Sequence, residues 1–242
     1  MSAFTRRDLT MIPVAGDSHI VIACDSCGAV GIKDSDVLKL SPRVAAKFTA
    51  RVVLTEILCS GAKPVSITNG VAGEMCPTGE ETILGIRDEL ENAGITDITL
   101  TGSTEENFKT SMTAFAITAI GVAKEDDLKF ELASPGDKFI LLGSPRVGTE
   151  VDLDSKGFYS QIRQLLPLQG VRELVPVGSK GVAYEAQTLA TLSELTFKPY
   201  NTKIDYTKSA GPATCLLILC TDSLVNEVLS IHSESIVIGE VE

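Results

Sequence analysis

Positive charge is what this sequence has least of. Its 21 lysines and arginines stand against 32 acids, a formal charge of −11. So acidic a chain is repelled by phosphate backbones and anionic headgroups, which argues against nucleic acid or a membrane surface as its main partner. Anionic nucleotides stay open, because Mg²⁺ bridges carboxylates to phosphates. Long apolar runs are also missing. The longest, around Ala114–Ala123 and Cys215–Cys220, are too short to span a bilayer. Residues Met1 to Asp8 lack the apolar core of a signal peptide, so a cytoplasmic location is expected. The only histidines, His19 and His232, have no metal-motif spacing. There is no Walker A segment, no kinase-type glycine loop and no internal repeat.

Six cysteines are present. Cys24, Cys59, Cys215 and Cys220 lie in apolar runs and read as small core residues, and Cys76, just before Pro77, as a loop residue. Cys24 and Cys27 have Cys-x-x-Cys spacing, which redox and zinc sites use. A structural zinc needs four ligands, and no second such pair exists. A redox pair usually opens a helix, whereas Gly28 and Gly31 follow here. The pair is therefore expected to be neither a metal nor a redox centre.

Hydrophobic residues make up 44% and charged residues 22%, a globular composition long enough for one large domain or two small ones. The stretch Val21–Pro64 organises it. An apolar run, Val21 to Cys24, predicts a buried strand from Ser18 that ends on Asp25. A loop bearing Gly28 and Gly31 follows. Ser41 as N-cap, Pro42 at the first helical position and Gly61-Ala62-Lys63-Pro64 as a stop predict a helix over 43–60. A strand from Pro64 runs towards Val71. Thr78 and Glu81 have capping-box spacing for a second helix ending at Gly94. Strands are expected over 97–101 and 111–123. The acidic stretch 124–127 marks a boundary. Beyond it strands are expected over 138–142, 215–220 and 235–241, and helices over 157–165, 182–195 and 223–230. Strands separated by helices point to an α/β or α+β fold, with an N-terminal domain over 1–124 and a smaller C-terminal α/β domain over 125–242.

Three polar clusters fall where apolar elements meet loops: Asp25-Ser26, with Asp17 eight residues earlier; Glu56; and Thr101-Gly102-Ser103-Thr104-Glu105-Glu106-Asn107. Carboxylates at the ends of different strands and inside a helix can converge on Mg²⁺, and a Gly102-Ser103-Thr104 turn can offer N–H groups and hydroxyls to phosphates. Each has a plainer reading. Glu56 fits a solvated helix residue as well as a ligand, and Glu105-Glu106 fits a loop carboxylate pair. Asp25, directly after four apolar residues, is expected at a strand mouth.

Leu54-Thr55-Glu56-Ile57-Leu58-Cys59-Ser60-Gly61-Ala62-Lys63-Pro64 resembles the Asn-Leu-Ser-Asp-Ile to Met-Gly-Ala-Lys-Pro segment of the aminoimidazole ribonucleotide synthetase superfamily, which includes thiamine monophosphate kinase and selenophosphate synthetase. Thr101-Gly102-Ser103-Thr104 resembles its Gly-Gly-Asp-Thr turn, Ser134-Pro135-Gly136-Asp137 its Pro-Gly-Asp opening of the C-terminal domain, and Ile236 to Val241 its closing strand. Ile22 to Gly28, Thr49 to Val52 and Thr101 to Asn107 are most similar to the α-ribazole kinase branch, which serves cobalamin salvage. The likeness is good over about 8–145 and loose beyond.

The resemblance implies an ATP- and Mg²⁺-dependent phosphotransferase acting on a nucleoside-like small molecule, foremost the ribose hydroxyl of α-ribazole. It also implies a homodimer whose N-terminal strands pair into a barrel. The N-terminal domain would bind ATP and metal and form the dimer. Asp25 and Glu56 would hold the metal. Asp25, Ser26, Gly102, Ser103 and Thr104 would contact the nucleotide, with Lys33 or Arg51 near the phosphates and Asp17 or Glu105 as base. Two departures stand out. Ser103 replaces the family's acid, so a ligand is missing or has moved to Glu105. In Val177-Gly178-Ser179-Lys180-Gly181, Lys180 replaces a ligand aspartate. The same features fit two rivals: another ATP-dependent reaction of the superfamily, or a nucleotide-binding homodimer without turnover.

Overall fold

The structure is a computed structural model, described here for residues 2–242. The chain divides into two compact units. The first holds residues up to Asp126 except Leu58–Gly61, together with Leu153–Gly157; the second holds the remainder.

In the first unit β1 (Phe4–Arg6), β2 (Leu9–Pro13) and β3 (Ser18–Gly28) lead to a short parallel pair, β4 (Val30–Gly31) and β5 (Leu38–Lys39). Then come α1 (Pro42–Cys59), β6 (Lys63–Val71), a wide turn over Met75–Gly79, α2 (Glu80–Ala93), β7 (Thr99–Thr104) and β8 (Ala114–Lys124). The sheet order is β1-β2-β3-β8-β6-β7. It is open, edged by β1 and β7, and no closed barrel exists among the described residues.

Alternation along β3 and β8 separates two faces. Val21, Ala23, Phe115, Ile117 and Ala119 are buried on the inner face. Ile20, Ile22 and Cys24 stand opposite Val122, Ile120 and Thr118 on the outer face, where all are half-buried or exposed. Helix α1 lies against the inner face at close range, because a Cβ on Gly121 would come within 2.6 Å of Ile57 Cγ2. Ser41 caps it through Arg43 N–H (3.1 Å), and Gly61 ends it at φ +85°. Helix α2 approaches α1 at Gly85, where a Cβ would strike the Arg43 carbonyl. Gly94 takes the left-handed C-cap of α2.

The second unit holds β9 (Lys138–Gly143), α3 (Tyr159–Leu165), β10 (Val171–Pro176), α4 (Val182–Thr191), β11 (Phe197–Pro199), β12 (Cys215–Cys220), α5 (Val225–Ser230) and β13 (Ser235–Val241). Its antiparallel sheet runs β10-β12-β9-β13-β11. Both faces of its centre are covered. Phe139, Leu141, Leu217 and Leu219 pack with Val182, Ala186 and Leu189 of α4. Ile140, Leu142, Leu216 and Ile218 pack with Ile162 and Leu165 of α3 and Val228 of α5.

Four expectations change. Strand β3 does not end at Asp25 but runs on to Gly28, because Ala114–Ile117 of β8 supply a partner ladder for residues that seldom favour strands. Cys24 is exposed on the outer face and is not a core residue. Gly102-Ser103-Thr104 is the end of β7, paired with Asn69-Gly70-Val71, and not a turn. The capping box does not form: Thr78 Oγ1 donates to Glu74, while Glu81 accepts from Ser41 Oγ at 3.0 Å.

Candidate functional site

Register decides which candidates meet. Asp25 pairs with Ile117, Ile117 with Asn69, and Asn69 with Gly102. Ser26 reaches Ser103, and Cys27 reaches Thr104, through the next two rows. Asp25-Ser26 and Gly102-Ser103-Thr104 therefore occupy the same end of the sheet, three strands or roughly 14 Å apart. Gly102 is required there, since a Cβ would collide with Asn69. Asp17 is not brought to this group. It precedes β3, its backbone carbonyl accepts from Glu125 N–H (2.8 Å), and it stands eight extended residues or roughly 26 Å from Asp25.

Glu56 does not converge with Asp25 either. Ile57 lies against Gly121, whose strand partner is Val21, four residues or roughly 13 Å from Asp25. Both guanidinium Nη atoms of Arg7 donate to Glu56 Oε2 at 3.4 Å, and the two side chains are 2% and 9% exposed. Among the described residues no cation acts on the Asp25 carboxyl. Burial raises its carboxyl above the usual range, partly offset by the Ser26 N–H. Among the described residues no three His, Cys, Asp or Glu side chains gather as a cation site. The pair Asp25 and Glu56 thus does not fit a resident Mg²⁺, whose ligand oxygens must all lie within about 2.1 Å of one ion.

Arg51 is not at a phosphate site. It is 3% exposed and holds buried Glu89 through Nε (2.7 Å) and Nη2 (3.1 Å), with Ser155 O at 2.8 Å. Cys24 and Cys27, three residues apart on a strand, point to opposite faces. Burial, with Asp25 adding to it, pushes the Cys27 thiol up to about 11. That removes the thiolate at neutral pH.

Lys33 does find a site. Loops leaving β4, β6 and β7 and entering β8 border a cavity of about 710 Å³, lined among others by Lys33, Glu74, Glu105, Glu106, Phe108 and Thr110. This is the carboxyl end of parallel β6 and β7, where open α/β sheets bind ligands. Asp36 sets the loop. Its carboxylate accepts from Thr113 N–H (2.7 Å), Thr113 Oγ1 (2.8 Å) and Lys33 N–H (2.8 Å). Burial alone would raise Asp36; these bonds outweigh it and leave the carboxyl low. Lys33 Nζ then reaches Glu74 Oε2 and Thr110 Oγ1, both at 2.6 Å. Gly73 permits this, since a Cβ would stand 2.8 Å from that ammonium. Burial pushes the Glu74 carboxyl up, but Lys33 and Thr78 more than compensate and hold it at about 2.

Glu105 N–H is shared between Val71 O (3.1 Å) and Gly73 O (2.9 Å), which fixes its backbone, and its Oε1 accepts from Asn107 N–H at 2.7 Å. Glu106 Oε1 takes Met75 N–H (2.7 Å) and Thr104 Oγ1 (3.1 Å). Glu74 and Asp36 had no motif to announce them. The one local signal for Glu74 is a glycine followed by a charge just past a strand end.

The architecture defines a class: an open mixed sheet backed by two helices, with a charged cavity at one end, followed by a second sheet covered on both faces. Residues 6–123, just under half of the chain, match the family model of the AIR synthase related protein, N-terminal domain. Comparison with curated protein sequences gives no match. Among solved structures, the fold is similar to that of the HypE-HypF complex (TM-score 0.70, 16% identity, 92% of this chain and 84% of that one). It is also similar to E. coli HypE (0.70, 15%, 92% and 79%) and to T. maritima PurL complexed with ATP (0.72, 15%, 96% and 41%). The chain thus spans less than half of PurL. At these identities the likeness is one of fold. No helix among the described residues is long and apolar enough to cross a membrane.

Proposed function

We propose that this chain is an ATP-dependent small-molecule phosphotransferase, and that its acceptor is the ribose hydroxyl of α-ribazole. The observation that carries the reading is the cavity at the strand ends, within the part that matches the AIR synthase related domain. Its volume suits a small-molecule site. The similarity in fold to a PurL complexed with ATP supports a nucleotide as one substrate, and the stretches around Asp25 and Ser103 support the α-ribazole branch. In-line phosphoryl transfer depends mainly on positioning and charge stabilisation, which a preformed cavity supplies. Asp25, Ser26, Gly102, Ser103 and Thr104 are proposed to border the nucleotide, since three adjacent rows carry them to the cavity end of the sheet. Mg²⁺ belongs to the proposal as part of the incoming ATP complex.

A homodimer completes the reading. The outer face of β3 and β8 is uncharged between Ile20 and Ser26, and its Ile22–Ile120 and Ile20–Val122 rows stay half-buried or exposed in one chain. A second copy, presenting the same face, is proposed to cover what this half-buried face leaves exposed, foremost Val122, in a barrel-like pairing. A cytoplasmic location belongs to the same proposal.

One observation favours a second reading, a nucleotide-binding dimer without turnover. Glu56 is engaged by Arg7 where the family resemblance expects a ligand, and Ser103 and Lys180 replace acids. Incubating the protein with Mg²⁺-ATP and a panel of ribosides, with ADP and phosphorylated product quantified, separates the readings. Product from α-ribazole upholds the first. ATP binding without ADP release upholds the second. ADP release coupled to a different acceptor or to ring closure points to another reaction of the superfamily.

A further inference from the structure

We propose that the cavity is the acceptor pocket, that it takes an uncharged or cationic ligand joining a flat apolar ring to hydroxyl groups, and that Glu105 is the base for that hydroxyl. The base assignment rests on the phosphotransfer reading above.

Charge selects the ligand class. Four carboxylates and two lysines line the cavity, and Lys33 is already bound to Glu74 and Thr110. Asp34 carries no side-chain hydrogen bond among the described residues, and Glu105 and Glu106 each keep one oxygen open. A phosphate group entering alone would find Lys109 as the one lining cation without a side-chain partner among the described residues, against the three open carboxylates, whereas hydroxyl groups can donate to those carboxylates. The apolar part of the lining includes Phe108, 76% exposed, and Pro77. An open phenyl face beside hydroxyl acceptors suits a ring-bearing glycoside.

Geometry selects the base. Asp17 lies beyond the opposite end of β3. Glu106 spends one oxygen on two protein donors, Met75 N–H and Thr104 Oγ1, which tie its side chain to the cavity wall. Glu105 has a fixed backbone, one oxygen oriented by Asn107 N–H and one with no hydrogen bond among the described residues. In the step, the acceptor hydroxyl passes its proton to Glu105 while its oxygen bonds to the γ-phosphorus of a nucleoside triphosphate. The bond from that phosphorus to the β,γ-bridging oxygen breaks, the nucleoside diphosphate leaves with the electron pair, and Glu105 returns the proton to water.

The test is calorimetric titration of the full chain with α-ribazole and with its 5′-phosphate, followed by turnover with Mg²⁺-ATP. The uncharged riboside should bind, and the phosphate at least about tenfold more weakly. Phe108→Ala should weaken the riboside about tenfold. Glu105→Gln should keep riboside binding within about threefold, lower phosphotransfer by about 100-fold or more and flatten the acid limb of its pH profile. Asp17→Asn should match the parent. Tighter binding of the phosphate, indifference to Phe108→Ala, or a loss confined to Asp17→Asn would overturn the proposal. ATP turnover on another acceptor with no riboside binding sinks the pocket and leaves phosphotransfer standing. Riboside binding that depends on Phe108, with no turnover, upholds the pocket and sinks both the base and the phosphotransfer reading.

Discussion

The two sheets of this chain spend their side chains differently. In the second unit, residues 139–142 of β9 and 215–220 of β12 alternate between two separate cores, so those positions are consumed by packing. In the first unit, β3 and β8 have one face against α1 and one face open, and the loops at one end carry charge around a cavity. A sheet buried on both faces has nothing left to offer a ligand or a partner. A sheet buried on one face has an outer surface and a rim to spare, and the proposed chemistry and pairing both lie there.

The largest expected effect tests that contrast directly. Ile218→Asp puts a charge into a fully covered strand and should cost more than about 4 kcal/mol, enough to unfold the second unit. Val122→Glu, on the open face of the first unit, should cost about 0.5 kcal/mol or less in folding and should shift sedimentation from dimer to monomer. Equal destabilisation by the two would erase the contrast.

Next comes Arg51→Ala. It removes the guanidinium from a fully buried ion pair with Glu89 and should cost about 3 kcal/mol in a urea melt. A variant that melts normally yet loses ATP binding would return Arg51 to the phosphate site.

Lys33→Met should be milder. Glu74 is about a third open to solvent, so solvent screening trims the loss to about 1 kcal/mol at pH 7. The folded-state value of Glu74, about 2, lies below its ordinary 4.5, so its stabilisation is full above pH 4.5 and disappears as pH falls towards 2. The gap between variant and parent in thermal melts should close over that interval. A gap that stays constant down to pH 2 would show that the Lys33–Glu74 pair is not its source.

Asp25→Asn should have the smallest effect, with the opposite sign. The raised carboxyl makes the folded state bind its proton more tightly than the unfolded chain does, so this residue lowers stability as pH rises above 3.8. The variant should melt slightly higher at pH 7, and the difference should vanish below that pH. A lower melting temperature at pH 7 would mean that a cation pairs with Asp25 after all.

Much of the fold was legible because its signals are local. Ser41, Gly61 and Gly94 bound their helices through backbone geometry, and the Cys215–Cys220 run marks a doubly covered strand by composition. What was not legible depends on partners distant in sequence. Strand β3 continues through Asp25 and Cys27 because β8, ninety residues on, pairs with it. Gly102 reads as a turn until Asn69 is seen against it. Strand β10 carries no strand signature in sequence because Arg172 and Glu173 interrupt its apolar pattern, although Glu173 is buried. In the candidate site, Glu105 and Lys33 were readable as charged residues near glycines. Their meeting was not, because Asp36 and Thr113, seventy-seven residues apart, hold the loops together.

The most direct measurement is hydrogen–deuterium exchange of the full chain with and without Mg²⁺-ATP and α-ribazole. The account predicts ligand-dependent protection in the three loops 29–37, 72–79 and 105–113, with the turn around Asp17 unchanged. Protection centred on Asp17 and Glu56, with those three loops unaltered, would contradict it.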